Sequence, residues 1–166
     1  ASVGGNVVRF TNLATGNNAD AVLVTNNGGG AAIHAVSGPT VSGGSNYALM
    51  VENGHIKTYQ TGTMNKVDLA GSTLSNFIGT PTDVAGTINL ATGASHSAGQ
   101  QYVKITFSKP YTIAPVVILT AASAGASTVA PFVTTTNTDF TISFGGTTPA
   151  GPAINYTFNY MVIEGR

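Results

Sequence analysis

Cysteine and tryptophan are both missing from this sequence of 166 residues, and charged residues make up only 7% of it. Without cysteine there is no disulfide framework, no thiolate nucleophile and no cysteine ligand for a metal. The six cations balance the six acids and are scattered along the chain. Because duplex binding needs clustered lysine and arginine to displace counterions, this charge pattern argues against nucleic acid as a partner.

Long apolar runs are missing too. The longest, Ile113 to Leu119, is far shorter than the roughly 20 residues that a helix needs to cross a bilayer. No basic amphipathic helix is found that could lie on an anionic surface. The sequence therefore predicts no membrane insertion.

Small and turn-forming polar residues are abundant instead, with 21 glycines, 24 threonines, 14 asparagines and 12 serines. Apolar residues still make up 42% of the chain. Disordered chains are poor in aliphatic residues and usually carry a strong net charge, so this chain is predicted to fold. The β-branched residues in its apolar runs favour strands over helices.

A short motif recurs three times within residues 1–62, with copies that begin at Ala21, Ala32 and Ala48. Each copy joins a small residue and several apolar residues to a terminal Asn or Gly. This pattern predicts a strand of about five residues closed by a turn. A few such strands form a ribbon with no second layer to cover its apolar side.

The missing layer is predicted to come from other copies of the chain, because residues 1–62 contain only three large aromatic side chains with which to fill a core. Three identical ribbons wound about a common axis would bury these apolar residues mutually. An ordinary monomeric sandwich is the alternative. The predicted trimer-core residues are Val22, Val24, Ile33, Val36, Leu49 and Val51.

Residues 63–83 are predicted to form a collar or linker. The spacing of Leu74, Phe77 and Ile78 fits one face of a short helix. Pro81 disfavours helix in the residue before it, so the boundary with the next domain is placed directly before this proline.

Residues 84–166 are predicted to form a compact antiparallel β-sandwich. Alternation places apolar residues on one face of Tyr102–Phe107 and of Phe140–Phe144. The continuously apolar run Pro115–Leu119 predicts a central strand covered on both faces.

The last predicted strand, Ile154–Ile163, carries aromatic residues on one face and a partly apolar second face. A neighbouring subunit is the expected cover for that second face. Residues 121–127 and 145–152 are rich in Gly, Ala, Ser, Thr and Pro and are predicted to be loops.

The runs Val103–Ile118, Phe140–Phe144 and Tyr156–Ile163 resemble the C-terminal head of bacteriophage tail fibres and related virion spikes. In outline they are also similar to H-type lectin domains, and the three repeats resemble the shafts found before such heads. The resemblance implies a homotrimer whose intertwined β shaft carries a β-sandwich tip that contacts the host surface. It also implies an extracellular location on the virion, with other virion proteins attached on the N-terminal side.

Catalytic patterns are not found, and the chain is predicted not to be an enzyme. It has no cysteine nucleophile and no Gly-x-Ser-x-Gly turn, and its six acids are far apart in sequence. A glycosidase pair formed by two acids across a subunit interface is the enzymatic alternative. The three histidines lack the local spacing of a metal site, so neither a metal nor a cofactor is predicted.

Receptor contact is predicted to fall to surface loops, because amide, hydroxyl and aromatic groups suit sugar recognition without strong charge. The candidates for receptor or glycan binding are His96, Tyr111, Asn137 and Asp139. For Asn137 and Asp139, the chemistry of a hairpin turn alone is the favoured explanation.

The sequence thus predicts an all-β chain with an intertwined trimeric shaft, a short helix and a sandwich head. The predicted function is attachment of a viral fibre or spike to a host glycan. A soluble or cell-surface lectin, and a purely structural decoration fibre of a virion, are the two alternatives.

Overall fold

The computed structural model describes residues 24, 33, 49, 51, 56–60, 62–70, 72–92, 97–146 and 154–165. The chain divides into two compact units, Ala1–His55 and Ile56–Arg166. Within the described residues, all strands and the helix lie in the second unit.

The second unit contains two four-stranded antiparallel sheets, which confirms the all-β prediction for this part of the chain. Its elements in chain order are β1 (Asn65–Asp68), β2 (Leu74–Ile78), β3 (Ala85–Thr92), β4 (Gln101–Thr106), β5 (Val116–Ala121), α1 (Ala124–Ser127), β6 (Pro131–Thr135), β7 (Asp139–Phe144) and β8 (Ile154–Ile163). The first sheet has the order β1-β4-β7-β6, and the second has the order β2-β3-β8-β5. Only β2–β3 and β6–β7 are hairpins, and every other connection passes from one sheet to the other.

Aromatic side chains from both sheets form the shared core. Phe144 of β7 lies with its ring centroid 5.2 Å from that of Tyr156 and 5.7 Å from that of Phe158, both on β8. Phe140 of β7 lies 5.3 Å from Tyr160 of β8. These inward residues are buried and alternate with less buried ones along β8, as the sequence predicted.

One departure from strict alternation occurs in β4, where Tyr102 and Val103 are both fully buried although they are adjacent. The register with β7 shifts between Gln101 and Val103. A bulge of this kind inserts one residue, so that neighbouring side chains no longer point to opposite faces. The ring of Tyr102 therefore joins the core and stacks on Phe144 at 3.9 Å.

The predicted helix near Leu74 is wrong, because these residues form the strand β2. Ser75 and Phe77 face inward, while Leu74 and Ile78 are exposed. The spacing of four fits both a strand and a helix, whereas the spacing of three fits only a helix, so in the strand Phe77 lies on the opposite face from Leu74 and Ile78. Gly79 follows at φ 73°, a conformation in which glycine has no steric cost, and begins the turn into β3.

Residues 63–83 therefore contribute a strand to each sheet, β1 to the first and β2 to the second. The two strands are linked by a hydrogen bond from the Ser75 hydroxyl to the Asp68 carboxylate. The boundary between the compact units lies between His55 and Ile56, upstream of the predicted boundary before Pro81.

The prediction of a central strand at Pro115–Leu119 is also wrong, because β5 is an edge strand of the second sheet. Val117 and Leu119 pack against the core. Val116 and Ile118 face outward and are 59% and 48% exposed. A continuous apolar run shows that both faces of a strand are apolar, but it does not show that the same chain covers both.

The predicted loop at 121–127 contains the short helix α1. Ser123 is its N-cap, and the serine hydroxyl accepts a hydrogen bond from the backbone N–H of Ala126 at 3.3 Å. Capping of this kind satisfies an N–H that has no partner within the helix.

Four of the predicted trimer-core residues are described, namely Val24, Ile33, Leu49 and Val51. They are 44%, 72%, 73% and 48% exposed in the single chain, and none of the four is in a strand. The strands predicted there are therefore not found in the isolated chain at these positions, because a strand requires a hydrogen-bonded neighbour. Val22 and Val36 lie outside the described residues.

Gly86 of β3 provides a test of the core, because the Tyr160 ring lies directly against it. A Cβ at Gly86 would be 2.5 Å from the Tyr160 hydroxyl and 2.7 Å from the ring. We expect Gly86→Ala to lower the free energy of unfolding by about 1–3 kcal/mol through overpacking. Urea unfolding measures this change.

Gly125→Ala is the matched control. A Cβ at Gly125 in α1 meets its nearest atom at an ordinary 3.5 Å, and alanine is favoured over glycine in a helix by roughly 0.5–1 kcal/mol. Equal effects of the two substitutions would contradict the packing of Tyr160 on Gly86.

Candidate functional site

The carboxylate of Asp83 organises one end of the sandwich, at the start of β3. It is 9% exposed and accepts hydrogen bonds from the backbone N–H of Ser108 at 2.8 Å, from the Ser108 hydroxyl at 2.7 Å and from the Lys109 N–H at 3.1 Å. Burying a carboxylate costs much free energy unless hydrogen-bond donors replace the water that it loses, and these donors do so. These bonds fix the loop after β4 to the start of β3.

Gln60 fastens a second segment to the same carboxylate. Its amide oxygen accepts from the backbone N–H of Asp83 at 2.6 Å, and its amide nitrogen donates to Asp83 Oδ1 at 3.3 Å. Its amide nitrogen also donates to the Gly62 carbonyl at 3.0 Å. Two residues earlier, the hydroxyls of Thr58 and Thr82 lie 3.0 Å apart. The segment 56–60 is thereby held along this end of the sandwich without being part of either sheet.

A cleft of about 310 Å³ opens between these segments. Gly62 passes so close to Ser108 that a Cβ would lie 2.8 Å from the serine side chain. The ring of Tyr59 is 83% exposed beside the cleft. The lining residues are Tyr59, Gln60, Gly62, Asp83, Ser108 and Lys109.

The hydroxyls of Tyr111 and Tyr160 bind the backbone carbonyls of Asp83 and Thr82 beside the cleft. The Tyr111 hydroxyl donates to the Asp83 carbonyl at 2.8 Å. The Tyr160 hydroxyl donates to the Thr82 carbonyl at 2.9 Å and lies 3.2 Å from the Met64 sulfur. Burial raises the pKa of both phenols, and the negative charge of Asp83 adds to the shift in each.

The structure brings three of the four predicted receptor residues to the same end of the sandwich. The backbone N–H of Tyr111 donates to the carbonyl of Asn137 at 2.8 Å, which joins the loop after β4 to the β6–β7 turn that also holds Asp139. The Tyr111 ring packs edge-on against Phe107 at 4.8 Å. Its ring and hydroxyl are thus used for support, while Asn137 is exposed. His96 lies outside the described residues.

Turn chemistry accounts for the hydrogen bonds of the segment 136–139. The Thr136 hydroxyl accepts from the backbone N–H groups of Thr138 and Asp139, and the Thr138 hydroxyl donates to the Asp139 carboxylate at 3.1 Å. Side chains that bond to their own backbone in this way stabilise tight turns. Among the described residues, the side chain of Asn137 makes no hydrogen bond in this turn, and its contact with a receptor stays a prediction.

The residues that form the cleft were missed by sequence reasoning. Asp83 follows Pro81 and precedes a strand, and Ser108 and Lys109 directly follow one. Polar residues at strand ends that meet at one edge of a sandwich were the available signal. Gln60 and Tyr59 had no such signal, because they were assigned to the shaft.

The Asp83 carboxylate in the cleft accepts four hydrogen bonds. Among the described residues no group of three His, Cys, Asp or Glu side chains could hold a metal ion. In the same part of the chain, no helix has the length and apolar character to cross a bilayer.

No protein-family model, no curated protein and no solved structure matches this chain. The function is therefore argued from the residues themselves.

The raised pKa values of Tyr111 and Tyr160 predict instability at high pH. The folded chain keeps both phenolic protons above the pH at which the unfolded chain loses them, near 10. The stability they contribute is full below about pH 10 and is lost as the pH rises further. Urea unfolding between about pH 8 and pH 12 measures this decline.

Tyr160→Phe is expected to make that decline shallower, although it removes the bond to Thr82 and lowers stability at neutral pH by about 1 kcal/mol. Tyr59→Phe removes an exposed hydroxyl and is expected to leave the decline unchanged. An identical decline in the wild type and in Tyr160→Phe would show that the buried phenol is not its source.

Proposed function

We propose that this chain is a non-enzymatic part of a trimeric viral fibre or spike, and that residues 56–166 form the head that attaches to a host surface. The first unit would then be the shaft that three copies build together. The resemblance of the sequence to fibre heads and shafts supports this proposal, as do the two observations that follow.

The exposure of the four described apolar residues of the first unit is the observation that carries the trimer. Val24, Ile33, Leu49 and Val51 are all between 44% and 73% exposed in the single chain. Scattered apolar residues are normal on a surface, but these four lie at the apolar positions of a repeat. Three copies around one axis would remove all four from water, which makes association and folding of the shaft one event.

The cleft at Asp83 supports a role in attachment. It combines the exposed ring of Tyr59 with an amide, a hydroxyl and the exposed cation of Lys109. Rings of this kind stack on the apolar faces of sugars, and the polar groups match sugar hydroxyls. Three heads on one fibre would strengthen weak single contacts through avidity.

Val51→Asp tests the trimer. In the proposed shaft it places three carboxylates in a shared apolar interior, at a cost that association cannot offset. We expect the wild type to have three times the 16.7 kDa chain mass by light scattering and Val51→Asp to be monomeric at the same concentration.

Val67→Asp is the matched control, because Val67 is 51% exposed against 48% for Val51. It lies opposite Lys104 in the register of β1 and β4, so a new carboxylate is tolerated there. A wild type that elutes as a stable 16.7 kDa monomer would overturn the proposal.

Tyr59→Ala tests attachment through the cleft. On an array of neutral and acidic oligosaccharides, we expect the wild-type chain to bind and Tyr59→Ala to lose about tenfold or more in affinity. Tyr59→Phe keeps the ring and should bind as the wild type does. A trimer that binds no glycan would instead favour the purely structural decoration fibre.

A further inference from the structure

The outer face of the second sheet is the face of β2, β3, β8 and β5 that points away from the shared core. These four strands contain no charged residue at all. Every charged residue in a described strand is in the first sheet, as Lys66, Asp68, Lys104 and Asp139. Of these, Lys104 and Asp139 occupy outward positions, because they alternate with the buried Ile105 and Phe140, so the outer surface of the first sheet carries charges and that of the second does not.

An apolar cluster occupies one end of this uncharged face. Val116 of β5 is paired with Ile163 of β8, and Ile118 is paired with Met161. All four point outward and are between 48% and 59% exposed. Paired side chains on adjacent strands are in contact, so these four form one continuous patch, here called the outer apolar cluster.

The middle of the face, on β3 and β8, is polar, and its polar groups bind one another, while Leu74 and Ile78 of β2 are exposed apolar residues at its other end. The Thr87 hydroxyl donates to the Asn159 amide oxygen at 2.8 Å across β3 and β8. Asn89 donates to the Asn155 amide oxygen at 3.3 Å and accepts from the Thr157 hydroxyl at 3.2 Å. Covering polar groups that already have partners costs far less than covering groups that depend on water.

The edge strand β5 also requires a cover. Sheet edges in monomeric proteins are usually protected by charges, prolines or bulges. β6, an edge strand of the first sheet, begins with Pro131, whereas β5 consists of Val, Ile, Leu, Thr and Ala. An uncharged apolar edge strand that stays exposed is a template for pairing with strands of other molecules, which leads to aggregation.

We propose that the outer face of the second sheet packs against a second copy of this chain, and that the outer apolar cluster is part of the contact. A second copy is the favoured partner, because an uncharged face cannot form ion pairs with a charged partner. The surface of this chain is itself sparsely charged and therefore matches the face. Strand spacing and rise give the face roughly 500 Å², more than one side of a typical crystal contact and somewhat less than one side of a standard interface.

The inference rests on the proposed trimer, in which each copy has a neighbour on either side. Each chain would then take part in two contacts, one through its own outer face and one through the surface that receives the outer face of the neighbouring copy. Together the two contacts would bring the contact area per chain into the range of stable assemblies. The inference goes beyond the trimer because it assigns the surface through which the heads meet.

The absence of cysteine from the chain allows a direct test on the full-length protein. Met161→Cys places a single thiol in the outer apolar cluster, and Val67→Cys places one on the outer face of the first sheet at matched exposure, 50% against 51% in the single chain. We expect the thiol at position 161 to react with a maleimide about tenfold or more slowly than the thiol at position 67 in the native assembly. Denaturation should make the two rates equal.

A second variant shows which molecule provides the cover. In Val51→Asp combined with Met161→Cys, dissociation into monomers should restore the rate of the thiol at position 161 to that at position 67. Protection that persists in the monomer would show that the same chain covers the cluster, and it would overturn the inference. Less than about tenfold protection in a wild-type trimer would overturn it as well, while leaving the trimer intact. A wild-type monomer would overturn both proposals.

Discussion

A β-sheet has two faces, and a sandwich of two sheets can bury only one face of each against its own chain. This constraint governs the second unit. The inner face of β8 carries Tyr156, Phe158 and Tyr160 into a dry aromatic core. Its outer face carries Met161 and Ile163 toward solvent, beside Val116 and Ile118 of β5. The aromatic residues of β7 and β8 lie in the shared core, and the outer face of the second sheet is left uncharged, with exposed apolar residues.

The same strand connects the core to the cleft. Tyr160 packs on Gly86 and donates its hydroxyl to the carbonyl of Thr82, the residue before Asp83. Asp83 in turn holds the loop after β4 and, through Gln60, the segment 56–60. The backbone of Tyr59, next to Gln60, is therefore held by a chain of hydrogen bonds that begins in the core. A cleft built on such support is preorganised, which lowers the entropic cost of ligand binding.

Alternation made much of the sandwich predictable, and the failures have particular physical causes. Val103, Ile105 and Phe107 were assigned to the interior correctly because one face of β4 is covered and the other is not. Tyr102 departs from this alternation because of a bulge in β4, which the sequence pattern does not predict. Leu74, Phe77 and Ile78 were given a helical period because they were assumed to share one face, whereas pairing with β3 places Phe77 inward and the other two outward. The cleft could not be predicted, because Gln60 and Asp83 are 23 residues apart and meet only through the folded arrangement of strand ends.

The apolar run in β5 shows that a sequence pattern identifies which faces of a strand are apolar but not which molecule covers them. Its residues require cover on both sides, and the sequence places no limit on which molecule provides it. In the single chain the core covers Val117 and Leu119, while Val116 and Ile118 stay exposed. The exposed apolar positions of the first unit pose the same question from a separate part of the sequence. The proposed assembly of several copies would cover both sets of residues at once, because each copy would shield apolar positions that its neighbour leaves exposed.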